Sequence, residues 1–108
     1  MHHEIPFDYT DRVTLMRGAV NGHSFDRFVF DTGAPWSYLN EDVAAKLGLV
    51  VDGKNDVCVD SLQFGTLDFG PIDMRVGPLR TVDGLLGTQE VANYCVEVDI
   101  DRSVCIIG

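Results

Sequence analysis

The tripeptide Asp31-Thr32-Gly33 follows directly on the apolar run Phe28-Val29-Phe30. A carboxylate at the end of a buried strand is costly unless something satisfies or shares its charge. Asp31 is therefore either the first residue of an ordinary turn, its side chain bonding its own backbone, or a group held in place to move protons. The other reactive residue types suggest no competing site. His2, His3 and His23 read as exposed, His23 within a hairpin turn, and none stands near a Ser or Cys in a way that suggests a nucleophilic triad. Cys58, Cys95 and Cys105 are odd in number and lack CxxC spacing, which speaks against zinc. They read as small buried hydrophobes. One disulfide stays open, with Cys95 and Cys105 on neighbouring strands as its pair, and the thiols favour a reducing compartment.

Holding Asp31 at a strand end requires a framework of short strands. Arg12–Gly22 and Ser24–Phe30 predict two strands joined by Asn21-Gly22, a pair that tolerates positive φ and marks a hairpin. Trp36–Leu39 predicts another short strand. The one clear helix is expected in "NEDVAAKLGL". Asn40 can cap it, Glu41 and Asp42 suit its positive end, Val43, Ala44 and Leu47 give it an apolar face, and Gly48 can end it. Leu49–Asp60 carries β-branched residues on both sides of Asp52-Gly53, which predicts a second hairpin. Ser61–Leu79 alternates around Gly65, Gly70 and Gly77, as short strands with tight turns do. Thr88–Tyr94 has a weak helical pattern, and Cys95–Gly108 reads as two strands around Asp101-Arg102-Ser103. Asp83 reads as a turn residue and no further catalytic acid. Many short strands with few helical residues predict an all-β barrel or sandwich with one or two short helices.

Composition narrows the functional classes. A chain of 108 residues suffices for one domain, taken as residues 1–108. Its hydrophobic content of 45% and charged content of 23% are those of a globular chain. The formal net charge is −9 and the few Lys and Arg are scattered. That excludes the basic face needed by nucleic acid or anionic membranes. No apolar run approaches the roughly 18 residues of a membrane span, and "MHHEIPFDYTDR" lacks a signal peptide's apolar stretch. A cytoplasmic location is the expectation.

Two stretches carry a family resemblance. In "FVFDTGA" the apolar strand runs into Asp31 and Ala34 extends the motif; downstream, "VDGLLG" (Val82–Gly87) sets two large aliphatics before a glycine. In this order and separation they resemble the retropepsin-like aspartic proteases, the bacterial and other cellular members more than the viral ones. The resemblance spans Val13 to Ile107. It implies a small closed barrel of the acid-protease type. It also implies a homodimer, because a single Asp-Thr-Gly must meet its copy across a two-fold axis. Asp31 would be the catalytic residue. Thr32 would reach across to the partner loop, Gly33 would let the backbone approach the dyad, and Ala34 would complete the loop. Leu85, Leu86 and Gly87 would pack beside it, Leu85 or Leu86 walling a substrate pocket. The chemistry implied uses water activated by two carboxylates sharing a proton, with no metal and no cofactor. The partners implied are a second copy and a peptide or protein substrate lying extended in the cleft.

The sequence also departs from the family pattern. The flap that covers the cleft falls in Leu49–Asp60, with Asp52, Gly53 and Lys54 at its tip. It is short, has one glycine and is acidic, which hints at tolerance of basic side chains nearby. Pro35 stands where many viral members have an Asp that contacts substrate, and Pro has neither the acid nor the N–H. "EIPFDY" and "SVCIIG" are the candidates for the terminal strands of the dimer, Pro6 arguing for an edge position. Two other functions stay open. The chain is alternatively a non-catalytic dimerisation or peptide-binding module of the same fold, or an autoprocessed or regulatory fragment of a longer protein.

Overall fold

The computed structural model describes residues 2–10 and 13–108; Arg12, the expected first residue of one strand, falls outside them. In chain order the elements are β1 (His3–Thr10), β2 (Val13–Val20), β3 (His23–Phe30), β4 (Tyr38–Asn40), α1 (Glu41–Lys46), β5 (Asp56–Val59), β6 (Leu62–Phe64), β7 (Leu67–Asp68), β8 (Ile72–Gly77), β9 (Gly84–Leu86), α2 (Thr88–Val91), β10 (Val96–Asp99) and β11 (Val104–Ile107).

Local chemistry explains most of these boundaries. Asn21 and Gly22 take φ of 50° and 84°, closing the β2–β3 hairpin with Val20 opposite His23. Such left-handed residues match the twist of the strands they join. At α1 the Asn40 side chain accepts the Asp42 N–H at 2.8 Å, while Val43 and Ala44 are buried. The same Asn40 donates from Nδ2 to the carbonyls of Leu79 and Val82. It thereby ties the helix start to the segment leading into β9.

Hydrogen bonds order the strands β10-β11-β1-β2-β3-β9-β4-β8-β5, with β6 bonded to β2 and β7 to β6. The path is open, yet Ile107 of β11 and Val57 of β5 share one core with Met16, Phe28, Leu39, Phe64 and Leu86. The sheet therefore wraps around a single apolar centre as a barrel does. Its inner edge contacts include Phe28 and Phe64, edge-to-face at 5.4 Å. β1 bridges two regions, His3–Pro6 pairing with β11 and Phe7–Thr10 with β2. Each half thus pairs with one strand only, and Pro6, opposite Val104, has no second strand to serve, which suits a residue lacking an N–H.

β9 positions the site. It runs parallel to β3 and antiparallel to β4, so it separates two strands that follow each other in the chain. The connection from β3 to β4, residues 31–37, must therefore pass over the end of β9.

Three expectations change. Leu49–Asp60 is not a hairpin: residues 49–55 form a compact loop, and β5 pairs with β8 instead. The Asp52 side chain explains the difference, because it accepts the backbone N–H groups of Lys54 and Asp56 and so closes the loop on itself. The left-handed residue there is Asn55, at φ 63°, not Gly53. Two of the three cysteines are exposed, Cys58 between buried Val57 and Val59 and Cys95 just before β10; only Cys105 is buried. All three are free. Cys105 stands opposite Val98 and Cys95 bonds Gly108, so the register keeps the suggested pair apart. Trp36 and Ser37 lie before β4 rather than in it.

Candidate active site

Asp31 stands at the end of β3, half-buried, and its backbone N–H donates to the Leu86 carbonyl at 3.0 Å. One side-chain oxygen, Oδ1, accepts the Gly33 N–H at 2.9 Å, and the Asp31 carbonyl accepts the Ala34 N–H at 3.1 Å. The turn anticipated for an ordinary Asp is thus present, but it uses only Oδ1. Oδ2 accepts no hydrogen bond among the described residues and remains available to a ligand or a second carboxylate.

The loop is held from behind. Ala34 is buried, and its carbonyl accepts the Thr88 N–H at 2.9 Å and the Thr88 hydroxyl at 3.4 Å. The Pro35 carbonyl accepts the Gln89 N–H at 3.2 Å. The first turn of α2 therefore fixes the two residues after Gly33. Thr32 and Gly33 themselves are exposed at the tip.

Leu86 and Gly87 make the other wall. Leu86 is fully buried, so of the two leucines Leu85, half-buried, retains surface to offer a pocket. A Cβ at Gly87 would overlap the Trp36 carbonyl, so only glycine lets the two backbones come this close. Ser37 locks the crossing. Its buried Oγ accepts the Gly87 N–H at 3.0 Å and donates to a Glu90 carboxylate oxygen.

Asp31 and Thr32 line an open concavity of about 330 Å³ together with Val13, Thr14, Val29 and Val98. A larger groove of about 520 Å³ lies on another face, beside Pro6, Arg17 and Gln63. Its one charged group, Arg17, is paired with Asp26 at 2.9 Å, so that groove offers no free reactive group. Among the described residues no cluster of His, Cys, Asp or Glu could hold a metal ion, and no helix is long and apolar enough to cross a membrane.

Asp52, Gly53 and Lys54 are exposed on the loop before β5. The N–H groups of Asp56 and Lys54 hold the Asp52 carboxyl below its ordinary value. Along the sheet β5 is separated from β3 by β9, β4 and β8. Asp83, read from the sequence as a turn residue, lies in a bend just before β9. It donates its N–H to the Arg27 carbonyl at 2.8 Å and accepts the Arg27 N–H on Oδ2 at 3.0 Å. One pair escaped sequence reasoning. The Arg75 guanidinium lies 4.0 Å over the Trp36 ring, joining residues that only the parallel pairing of β4 with β8 brings together.

Comparison with known proteins follows the same geometry. A family profile described as aspartyl protease matches residues 16–89. No curated protein matches the sequence. Among solved structures the chain is similar to a retropepsin-like aspartic protease from Rickettsia conorii, with a TM-score of 0.72 and 22% identity over 99% of this chain and 89% of that one. It is similar to the retroviral protease-like domain of Ddi1 from Leishmania major, with a TM-score of 0.64 and 16% identity over 87% of this chain and 89% of that one. Basic 7S globulin from soybean also matches, with a TM-score of 0.57 and 15% identity over 99% of this chain but 42% of that one.

Proposed function

The chain belongs to the aspartyl protease family, and from that premise we propose that it is an aspartic endopeptidase, active only as a homodimer in which each copy supplies one Asp31. The observation that carries this reading is the position of Asp31: tethered to β9 through its own N–H, with one carboxylate oxygen free of hydrogen bonds among the described residues, in the lining of an open concavity that it shares with three valines.

The rim supports the dimer. Val13 and Val98, which line the same concavity as Asp31, are 36% and 41% exposed, and Ile100, two residues beyond Val98, is 57% exposed. Burying each such side chain against a second copy is worth on the order of 1 kcal/mol at about 25 cal/mol per Å². Among the described residues β10 bonds on one side only, to β11, so its other edge is open to a copy of itself. A two-fold axis there brings the Asp31 loops face to face.

Two carboxylates about 3 Å apart cannot both ionise, so the pair holds one proton between them. The ionised member takes a proton from water as that water attacks the peptide carbon, and the protonated member hydrogen-bonds the carbonyl oxygen. On this reading Thr32, exposed at the tip of the loop, bonds the partner loop through a hydroxyl that can both donate and accept. An extended peptide crosses the joined concavities with Leu85 against one side chain.

The test is sedimentation combined with cleavage of a peptide library by the wild-type protein and by Asp31→Asn. A dimer that cleaves peptides with a bell-shaped pH profile, and an inactive Asp31→Asn dimer, are expected. A stable monomer, or cleavage surviving Asp31→Asn, overturns the proposal. One observation favours a second reading, a non-catalytic peptide-binding or dimerisation module. The expected flap is a loop closed by Asp52 rather than a hairpin able to fold over substrate. On that reading the dimer cleaves nothing, yet Asp31→Asn leaves peptide binding intact.

A further inference from the structure

Asp31 and Trp36 stand on opposite sides of the dipeptide Leu86-Gly87. The Asp31 N–H bonds the Leu86 carbonyl, and the Trp36 backbone packs against Gly87. The Ser37 hydroxyl and the Pro35–Gln89 bond hold that backbone, so the ring projects from a fixed point and is 43% exposed. An aromatic so exposed, on so rigid a base two strands across from Asp31, is available to touch a substrate rather than to fill a core.

Arg75 completes the surface. Its backbone N–H donates to the Ser37 carbonyl at 3.0 Å, and its guanidinium stacks over the indole at 4.0 Å. A cation–π contact of this kind engages the charge of the guanidinium and leaves its N–H donors free to bond elsewhere. Its partner across the strand pair is Asp56, yet no ion pair joins them. Arg17 and Arg102 are paired with carboxylates, and Arg27 bonds the Thr81 carbonyl. Arg75 is thus an arginine held by a ring, with its donors unclaimed among the described residues, in a chain of net charge −9.

We propose that Trp36 and Arg75 form a substrate subsite that selects an acidic side chain, the indole supporting the chain and the guanidinium gripping its carboxylate in a two-bond fork. The proposal rests on the endopeptidase reading for the direction of the bound peptide. β3 and β4 flank β9, so two strand spacings, about 10 Å, separate the Asp31 and Trp36 ends of the loop. An extended peptide rises about 3.3 Å per residue, which sets the acidic residue about three positions from the scissile bond. A two-fold dimer repeats the platform at the other end of the cleft, so an acid is favoured on either side.

The experiment uses the full chain and two peptides that differ only in Glu or Gln three residues from the cleaved bond. The wild-type protein should cleave the Glu peptide with a kcat/KM about tenfold higher, expressed in KM, because the contact is equally present in ground and transition states. Arg75→Gln should abolish the preference, lowering kcat/KM for the Glu peptide to that for the Gln peptide, and Arg75→Glu should make the Glu peptide the poorer of the two. Equal rates for the two peptides, or a Glu preference that survives Arg75→Gln, overturn the subsite while leaving the protease intact. Trp36 is the only tryptophan of the chain, so its fluorescence reports on the site without catalysis. If no peptide is cleaved, tighter fluorescence-detected binding of the Glu peptide, lost in Arg75→Gln, still supports the subsite; equal or absent binding of both peptides overturns it.

Discussion

The Asp31 backbone N–H donates to the Leu86 carbonyl at 3.0 Å, which joins the two sequence motifs in one hydrogen bond. That bond places a carboxylate at the mouth of the sheet without burying it. It also makes the geometry of the Asp-Thr-Gly loop depend on a three-residue strand 53 positions away in the chain, at Gly84–Leu86.

Replacing Asp31 by Asn separates chemistry from architecture. Asn keeps an oxygen for the Gly33 N–H, so the turn survives. Stability should change by less than about 1 kcal/mol, as at most partly exposed positions. The loss of a proton-transfer group should lower kcat by at least about 10²-fold to 10⁴-fold. Urea denaturation and peptide cleavage on the same preparations check both halves, and an unfolded variant would show that Asp31 is structural.

The Ser37–Gly87 knot makes a different prediction. Ser37→Ala leaves the buried Gly87 N–H without its partner, which should cost about 1–3 kcal/mol. Gly87→Ala drives a Cβ into the Trp36 carbonyl, where overpacking costs about 1–3 kcal/mol or more. Because both act on one crossing, the double variant should lose less than the sum. Urea midpoints of the four proteins measure this, and strict additivity would mean the two residues do not share a constraint.

Val98→Asp puts a charge on the exposed rim beside Asp31. The monomer should fold normally, since Val98 is not in its core, while dimerisation and any cleavage are lost together. Sedimentation and circular dichroism decide it: a dimer that persists places the subunit contact elsewhere.

The sequence made local features legible and long-range ones opaque. The β2–β3 hairpin and α1 were readable because Asn21-Gly22 and the Asn40 cap act within a few residues. Asp31 was readable for the same reason, as the end of an apolar run. The insertion of β9 between β3 and β4 leaves no periodic trace in three residues. Asp52-Gly53 signalled a hairpin because a dipeptide preference does not reveal that the Asp52 side chain will take two nearby N–H groups. The stacking of Arg75 on Trp36 arises from strand pairing alone. Cys58 was within reach of a better reading: between two valines that alternation turns inward, it must point out.

That parity has a chemical consequence. Cys58 and Cys95 are exposed, whereas burial pushes the Cys105 thiol up and keeps it protonated. A thiol reagent should label two cysteines quickly in the folded protein and the third only on unfolding. Mass spectrometry of the labelled protein checks the count, and rapid labelling of Cys105 would mean the β1–β11 region opens readily.

Acid should act on this protein in two opposed ways. The N–H groups of Asp56 and then Lys54 hold the Asp52 carboxyl below its ordinary value of 3.8, and the Gly70 N–H and then the Ser61 hydroxyl do the same for Asp68. A depressed folded-state value means that the unfolded chain takes up these protons first as pH falls. The stability from both groups is therefore complete above 3.8 and is lost as pH drops through the lower folded-state values. The proposed Asp31 pair, by contrast, works only with one proton shared between its two carboxylates. Cleavage should accordingly peak at mildly acidic pH, with both loops still closed, and decline at lower pH from unfolding as well as from a second protonation. The urea midpoint should be level from about pH 7 to about pH 5 and fall below about pH 4. Asp52→Asn with Asp68→Asn should flatten that fall. A midpoint that drops between about pH 7 and pH 5, or an acid fall unchanged in the double variant, would assign the acid sensitivity to other groups.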